Sequence, residues 1–406
     1  MANRGRRRGV GSITSYTTKA GTRWRWQLRV PLDPEHPDAG TRQAGKGGYS
    51  TAQEADAALQ EARRKARALG TLAKGGPPTV ATFAAEWLDG LTLAPSTIYG
   101  YRKIIRHHVN PQLGRLRLDQ LTATRLARHY RELLEHGRAD DKDKGGPLSA
   151  NSVNKVHVVI GAMLDAAIDD GHIAANPARK SRTVKAPTGK AIRAQRPELE
   201  TWTATELRTF LDWNRDELHD EAFPIWQVLA HTGMRRGEVL GLRWGDIDLT
   251  NQRISIRRAV DTVQRNTVKS TKTGSARVVD IDDDTTAVLR SWKAARGALS
   301  LDLARPSSPV FGHLDGRLRD PNAVTALWTR RVQWAREQLG DHALKPLTIK
   351  GLRHTHATLL LELGVHPKVV QERLGHSNIS TTMNIYSHVT PTMQRDAVAR
   401  LAQMLS

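Results

Sequence analysis

The spacing of apolar residues changes character along this chain, and no single type of secondary structure satisfies all of it. Trp24, Trp26, Leu28 and Val30 alternate with Arg23, Arg25, Gln27 and Arg29, the period of two that a strand with one apolar and one basic face requires. From Thr82 the interval lengthens to three and four. Phe83, Trp87 and Leu88 are followed by Tyr101, Ile104, Ile105 and His108, then by Leu126, Tyr130, Leu133 and Leu134, then by Val153, Val156, Ile160, Met163, Leu164 and Ala167. Such intervals line one face of each of several helices. Past Glu200 helical segments are interrupted by strand-like ones. Ile254, Ile256 and the run Val278-Val279-Asp280-Ile281 flank a turn at Thr273-Gly274-Ser275, which predicts a hairpin. A chain of 406 residues exceeds the length over which one hydrophobic core keeps growing, so the three patterns read as separate domains.

Gly and Pro mark the joins. Ala73-Lys74-Gly75-Gly76-Pro77-Pro78 breaks both helix and strand patterns, and the basic, Pro-containing stretch Ser181 to Glu200 suits an extended connector. The expected class is a multidomain α+β protein. Residues 1–75 form a small three-stranded sheet plus a helix that begins near Ser50 and ends at Gly70. Residues 79–180 form an all-α domain, 181–200 a linker, 201–390 a mostly helical domain with a β-hairpin, and 391–406 a C-terminal tail.

Charge narrows the partner. Sixty-two Lys and Arg against 41 Asp and Glu give a formal net charge of +21, which points to a polyanion and first to nucleic acid. Residues 1–75 alone hold 15 basic and 6 acidic side chains, and a small sheet backed by a helix can lay strands in the major groove of DNA. No apolar run approaches the eighteen or so residues that span a bilayer. Arg4, Arg6, Arg7 and Arg8 have no apolar stretch behind them, so the N-terminus does not read as a secretory signal. A cytoplasmic protein is expected. There is no cysteine, so thiolate ligands and thiol nucleophiles are excluded.

Four clusters in the third domain carry the chemistry. Thr232-Gly233-Met234-Arg235-Arg236-Gly237-Glu238 places Arg235 at a helix start after a Gly break, and Lys269 to Arg277 puts Lys272 at the hairpin tip. Thr348-Ile349-Lys350-Gly351-Leu352-Arg353-His354-Thr355-His356 opens a helix capped by Thr348, with Leu352, Leu359, Leu360 and Leu363 as its expected buried stripe and Gly364 as its stop. His354 and His356, two apart, point to different sides of that helix, which argues against a metal pair. The last cluster runs from Leu374-Gly375-His376 to Tyr386.

Taken together, these clusters closely resemble the tyrosine site-specific recombinases of the phage-integrase family. The resemblance implies that Arg235 and Arg353 are the arginine pair, Lys272 the hairpin lysine, His376 the late histidine and Tyr386 the nucleophile. It covers nearly the whole chain: residues 79–180 resemble the helical, SAM-like core-binding domain, and the first segment resembles the arm-binding domain of phage and conjugative-element integrases. One position departs, since Lys350 stands where the family usually has His.

The implied activity is cleavage and rejoining of DNA through a 3′-phosphotyrosyl intermediate, integrating and excising a phage or mobile element in a bacterial host cell. Attack on a phosphodiester concentrates charge on the equatorial oxygens, and two guanidinium forks can hold them in place of a metal. The ester is exchanged rather than hydrolysed, so no cofactor is needed. The implied partners are double-stranded DNA attachment sites, a homo-tetramer assembled on them with the segment after Tyr386 docking on a neighbour, and accessory DNA-bending and directionality proteins. Val398, Leu401 and Leu405 offer an apolar stripe either for that contact or for packing on their own domain. The alternatives are a type IB topoisomerase-like enzyme, disfavoured by the basic first segment, and a catalytically silent DNA-binding regulator, disfavoured by the complete set of candidate residues.

Overall fold

The computed structural model describes residues 11–18, 21–31, 41–70, 77–139, 145–180, 184, 186–195, 200–264, 266–270, 276–340, 342–380, 382–383, 385, 398 and 401–405. The chain divides into two compact units, Met1–Arg196 and Pro197–Ser406.

The first unit opens with an antiparallel sheet of β1 (Ser12–Thr18), β2 (Gly21–Pro31) and β3 (Thr41–Tyr49) in that order, followed by α1 (Ala52–Gly70). Register places Ile13 opposite Trp26 and Leu28 opposite Ala44. The pairing slips between Trp24 and Arg25, which face Tyr49 and Gly47, so Gly48 is the extra residue of a bulge and takes φ +97°. The alternation seen in the sequence becomes the two faces of β2: Leu28 is buried against Ala55 and Leu59 of α1, whereas Arg25 is exposed.

The same unit then builds a helical core from α2 (Val80–Asp89), α3 (Pro95–Ile104) with its π-helical extension Ile105–Val109, α4 (Asn110–Leu113), α5 (Ala123–His136) and α6 (Ala150–Asp169). Thr79, Thr122 and Ser149 cap α2, α5 and α6 by accepting from main-chain N–H groups three residues on. Phe83, Leu126, Tyr130, Val153, Val156, Ile160, Met163 and Leu164 meet in the core, as the three-and-four spacing requires.

The connector differs from expectation. Within 181–200 lies a short helix, α7 (Gly189–Ala194), capped by Thr188, and Val184 is buried. Pro187 precedes the cap rather than interrupting the helix, and Ala, Ile and Arg then propagate it. The Gln195 side chain accepts from the Ala150 N–H at 2.7 Å, which ties this stretch to α6.

The second unit begins with α8 (Ala204–Asp212), α9 (Phe223–Thr232) and α10 (Arg236–Leu240). Thr203 and Glu206 form a reciprocal capping box at α8. Strands β4 (Ile247–Asp248), β5 (Arg253–Ile256), β6 (Arg258–Val260), β7 (Val268–Ser270) and β8 (Arg277–Asp280) follow, then α11 (Asp283–Leu299), α12 (Pro321–Leu339), α13 (Ile349–Glu362) and α14 (Pro367–Leu374). Trp202, Phe210, Trp226 and Trp328 form the aromatic centre, with ring centroids 5.0 to 5.8 Å apart. The three indole N–H groups are satisfied by the Lys345 carbonyl, Asp220 and the Leu347 carbonyl.

The expected hairpin is more elaborate than the sequence pattern indicates. β5 and β8 do pair, Ile254 opposite Val279, in a sheet of order β4-β5-β8. A second hairpin, β6–β7, is inserted between them. Its turn is set by Asp261, whose carboxylate accepts from the N–H groups of Val263 and Gln264, an Asx-type turn that hydrophobic alternation does not register. The segment 271–275, including Lys272 and the turn expected at Thr273-Gly274-Ser275, lies outside the described residues. Of the C-terminal segment, Val398 and 401–405 are helical, with Val398, Leu401 and Leu405 exposed.

Candidate active site

The Arg235 site is made by a break between two helices. α9 stops at Gly233, which takes φ +61°, and Arg235 is the extended residue ahead of α10. Glu238, three residues into the start of α10, reaches back: its carboxylate accepts the Arg235 N–H at 2.9 Å and Arg235 Nη1 at 2.8 Å. Glu238 is only 2% exposed. A second guanidinium, that of Arg277 at the start of β8, donates from Nη1 and Nη2 to its two oxygens at 3.1 and 2.7 Å. Burial alone would raise the Glu238 pKa, but the Arg277 fork foremost, then Arg235, hold it below the ordinary value.

Arg353 enters from the first turns of α13. It is buried, and it donates from Nη1 to the Gly233 carbonyl and from Nη2 to the Leu374 carbonyl, both at 2.6 Å. Arg235 Nη2 donates to the next carbonyl in the chain, Gly375, at 2.9 Å. The two arginines therefore grip consecutive peptides at the C-terminal end of α14. Burial, then the Arg235 and Arg277 charges, lower the Arg353 pKa to about 9, with Glu238 opposing; Arg353 remains a cation at neutral pH.

His376 follows that turn directly. Its Nδ1 lies 2.9 Å from Thr382 Oγ1. Burial first, then Arg353 and Arg235, push its pKa down to about 4, so the ring is neutral near pH 7. Gly375 takes φ +67°, and a Cβ there would lie 2.9 Å from Arg277 Nη1. The left-handed backbone there favours glycine, and the Arg277 guanidinium packs close against it.

A further histidine braces the assembly. His356 Nδ1 is 2.8 Å from the Ala230 carbonyl, which can only accept, so Nδ1 carries the proton; Nε2 then accepts from Arg373 Nε at 3.1 Å. Arg373 Nη2 donates to the His231 carbonyl at 3.0 Å. Burial, followed by the Arg373 charge, lowers the His356 pKa to about 3. The buried stripe of α13 accordingly comprises Leu352, Arg353, Thr355, His356, Ala357 and Leu361, while Leu363 is 79% exposed and Leu359 and Leu360 are half-buried. The expected Leu stripe is corrected because polar side chains holding main-chain carbonyls occupy that face. Gly364, at φ +78°, ends the helix as expected.

Of the six sequence candidates, Arg235, Arg353 and His376 are brought together. Lys350 is exposed in the first turn of α13 and is not buried beside the arginines. Lys272 and Tyr386 lie outside the described residues. Glu238, Arg277 and Arg373 were not singled out by sequence reasoning, and His356 was weighed only as half of a metal pair. A capping-type spacing after Arg235 marks Glu238; nothing local marks the other three. Among the described residues no group of three or more His, Asp or Glu is arranged to hold a metal ion, and no helix is long and apolar enough to cross a membrane.

The described residues form an α+β architecture in which a helical segment precedes, along the chain, a mixed unit that carries this arginine–glutamate cluster. The phage integrase family model matches residues 200–393, and the model of the phage integrase N-terminal SAM-like domain matches residues 79–134. The chain belongs to the phage integrase family of tyrosine recombinases, enzymes that cleave and rejoin DNA. It is 25% identical over 315 residues to the ICEBs1 integrase of Bacillus subtilis (strain 168), covering 77% of this chain and 78% of that one. Its fold is similar to that of the Tn1549 transposon integrase in complex with a circular intermediate DNA (TM-score 0.63, 22% identity, 80% of this chain and 99% of that chain). It is also similar to that of a lambda integrase tetramer bound to a Holliday junction (TM-score 0.56, 16% identity, 91% and 94% covered). Neither the topoisomerase-like nor the silent-regulator alternative is favoured by these likenesses.

Proposed function

We propose that this recombinase acts at attachment sites of a mobile element, on double-stranded DNA, with the cluster around Glu238 as the phosphate-binding part of its centre. The observation that carries the reading is the convergence of Arg235 and Arg353 on the consecutive carbonyls of Gly375 and Leu374, immediately before His376. Two fixed guanidinium groups in a largely buried setting suit a phosphate whose charge grows during attack. Tyr386 Oη forms a bond to phosphorus as the bond to the 5′-oxygen breaks, and that oxygen leaves with a proton from Lys272. Neutral His376 can accept the phenol proton or donate to the phosphate, and its Nε2 is the nitrogen not committed to Thr382. Lys350, exposed in the first turn of α13, supplies a donor. The 5′-hydroxyl of a partner duplex then reverses the attack and frees the tyrosine.

The arm-binding role of residues 1–75, the core-binding role of 79–180 and a tetramer on DNA belong to the same reading. Support for the first is the basic face of β2, and for the last the exposed Val398, Leu401 and Leu405 together with the fold similarity to the lambda integrase tetramer. The test is strand exchange between two duplexes that carry the element's attachment sites, run in chelator without nucleotide. Recombinants of defined junction are expected. Cleavage that depends on a divalent ion or on ATP would contradict a phosphotyrosyl exchange.

A further inference from the structure

Arg277 is the least explained charge in the cluster. Its side chain is only 11% exposed, and all of its described partners belong to the machinery around the candidate phosphate site. Nη1 and Nη2 form a fork on Glu238, Nε donates to the Arg373 carbonyl at 3.0 Å, and the guanidinium lies against Gly375, where a Cβ would sit 2.9 Å from Nη1 and 3.1 Å from Cδ. We infer that Arg277 is a positioning residue for the cleavage step: by saturating the Glu238 carboxylate and bracing the Arg373–Gly375 turn, it keeps Arg235 and His376 aimed at the phosphate. The inference rests on the proposed reading of the site.

The physical argument concerns competition for Arg235. A buried carboxylate seeks several donors. With Arg277 present, both Glu238 oxygens are occupied by its fork, and Arg235 gives that carboxylate one side-chain hydrogen bond, from Nη1, besides its main-chain N–H. Nη2 goes to the Gly375 carbonyl, and the remaining N–H edges are left for a ligand. Without Arg277, Arg235 is the cation left on Glu238 and the two side chains can close into a bidentate pair of their own. That closure would draw the guanidinium off the Gly375 carbonyl and away from a phosphate. The net charge also changes. Arg235, Arg277 and Arg353 against Glu238 leave two positive charges at the cluster, and loss of Arg277 leaves one, where the transition state carries more negative charge than the ground state.

The experiment uses the full chain, a nicked suicide duplex carrying one core site, and single-turnover adduct formation, with duplex affinity and circular dichroism measured alongside. For Arg277→Ala we expect cleavage to fall by about a hundredfold, the scale of losing one preorganised donor, with affinity within about twofold of the wild type. Added guanidinium ion at non-denaturing concentration should restore much of the rate, and methylammonium should not. Arg277→Lys keeps charge and bulk but not the fork, so it should remain at least about tenfold slow; it decides the matter if the Ala variant does not fold. Cleavage at the wild-type rate by either folded variant, or a loss of affinity as large as the loss of rate, would overturn the inference. No adduct from the wild-type chain would overturn the underlying reading and this inference with it, a pattern distinct from wild-type cleavage with indifferent Arg277 variants.

Discussion

At the scale of single residues, Lys350 is the candidate that the resemblance sets opposite a histidine of the family. Histidine at that position can both take a proton and donate one, whereas an exposed lysine donates only. Lys350→Ala should slow adduct formation by about tenfold to a thousandfold, as for loss of one donor to the developing charge. Lys350→His should retain most activity and gain a titration near pH 6.5 that the parent lacks. Single-turnover rates across pH 6 to 9, with binding measured in parallel, decide this; an unimpaired Lys350→Ala would remove Lys350 from the reaction. The sequence marked Arg235, Arg353 and His376, which the structure brings together, because their spacing and order survive without coordinates. Arg277 and Arg373 were illegible for a physical reason: each is held by partners 17 to 142 positions away in the chain, and a lone arginine in a basic protein carries no local mark.

The buried histidines add a pH dependence whose sign follows from linkage. His356 is held neutral with a pKa of about 3 against 6.5 in an open chain. The unfolded chain therefore takes the proton first, so stability is full above about pH 6.5 and is lost as pH falls from there toward 3. His129 in the first unit, lowered by burial to about 4, acts in the same direction. Each such group costs up to about 1.4 kcal/mol per pH unit in that window. Thermal unfolding should accordingly shift downward between pH 7 and 5. His356→Phe should flatten the slope of the second unit while lowering its stability at pH 7, since the part-buried Arg373 Nε–H then loses its acceptor. An unchanged slope would show that His356 titrates normally.

Among the elements, the break between α9 and α10 has the most to hold in place. Gly233 sits in the left-handed region, and its carbonyl anchors Arg353. A Cβ there would come within 2.5 Å of His356 Cδ2 and 2.6 Å of Leu374 Cδ2. Gly233→Ala should cost at least about 1–2 kcal/mol from the backbone alone and more from the clash, and it should reduce cleavage beyond what unfolding explains, because Arg353 moves with its anchor. Calorimetry and single-turnover cleavage at a temperature where the variant is folded check both parts. The sequence announced this break through Gly233, and it announced α13 through Thr348 and Gly364. It misjudged the face of α13, where Arg353 and His356 are buried with their hydrogen bonds made to distant main chain. It also missed α7 and the β6–β7 hairpin, whose signals are one threonine cap and one aspartate turn rather than an apolar rhythm.

Over the whole molecule, periodicity fixed the order of sheet, helices and mixed unit, because each buries its own apolar face. The net charge of +21 then sets how the chain should meet DNA. Affinity for a core site should fall steeply with salt, in proportion to the phosphates neutralised. Deleting residues 1–75 should leave core-site cleavage intact while abolishing protection of distal arm sites; a footprint over a complete attachment site that did not shrink would reject the arm-binding role.

The account depends most on the identity of the nucleophile. The direct measurement is to trap the protein on a nicked suicide duplex, digest it, and locate the DNA-bearing peptide by mass spectrometry, with Tyr386→Phe as the paired control. The predicted result is a 3′-phosphotyrosyl link on Tyr386 in the wild type, and in Tyr386→Phe no adduct despite unchanged DNA binding. A covalent link at any other residue, or an adduct formed by Tyr386→Phe, would contradict it.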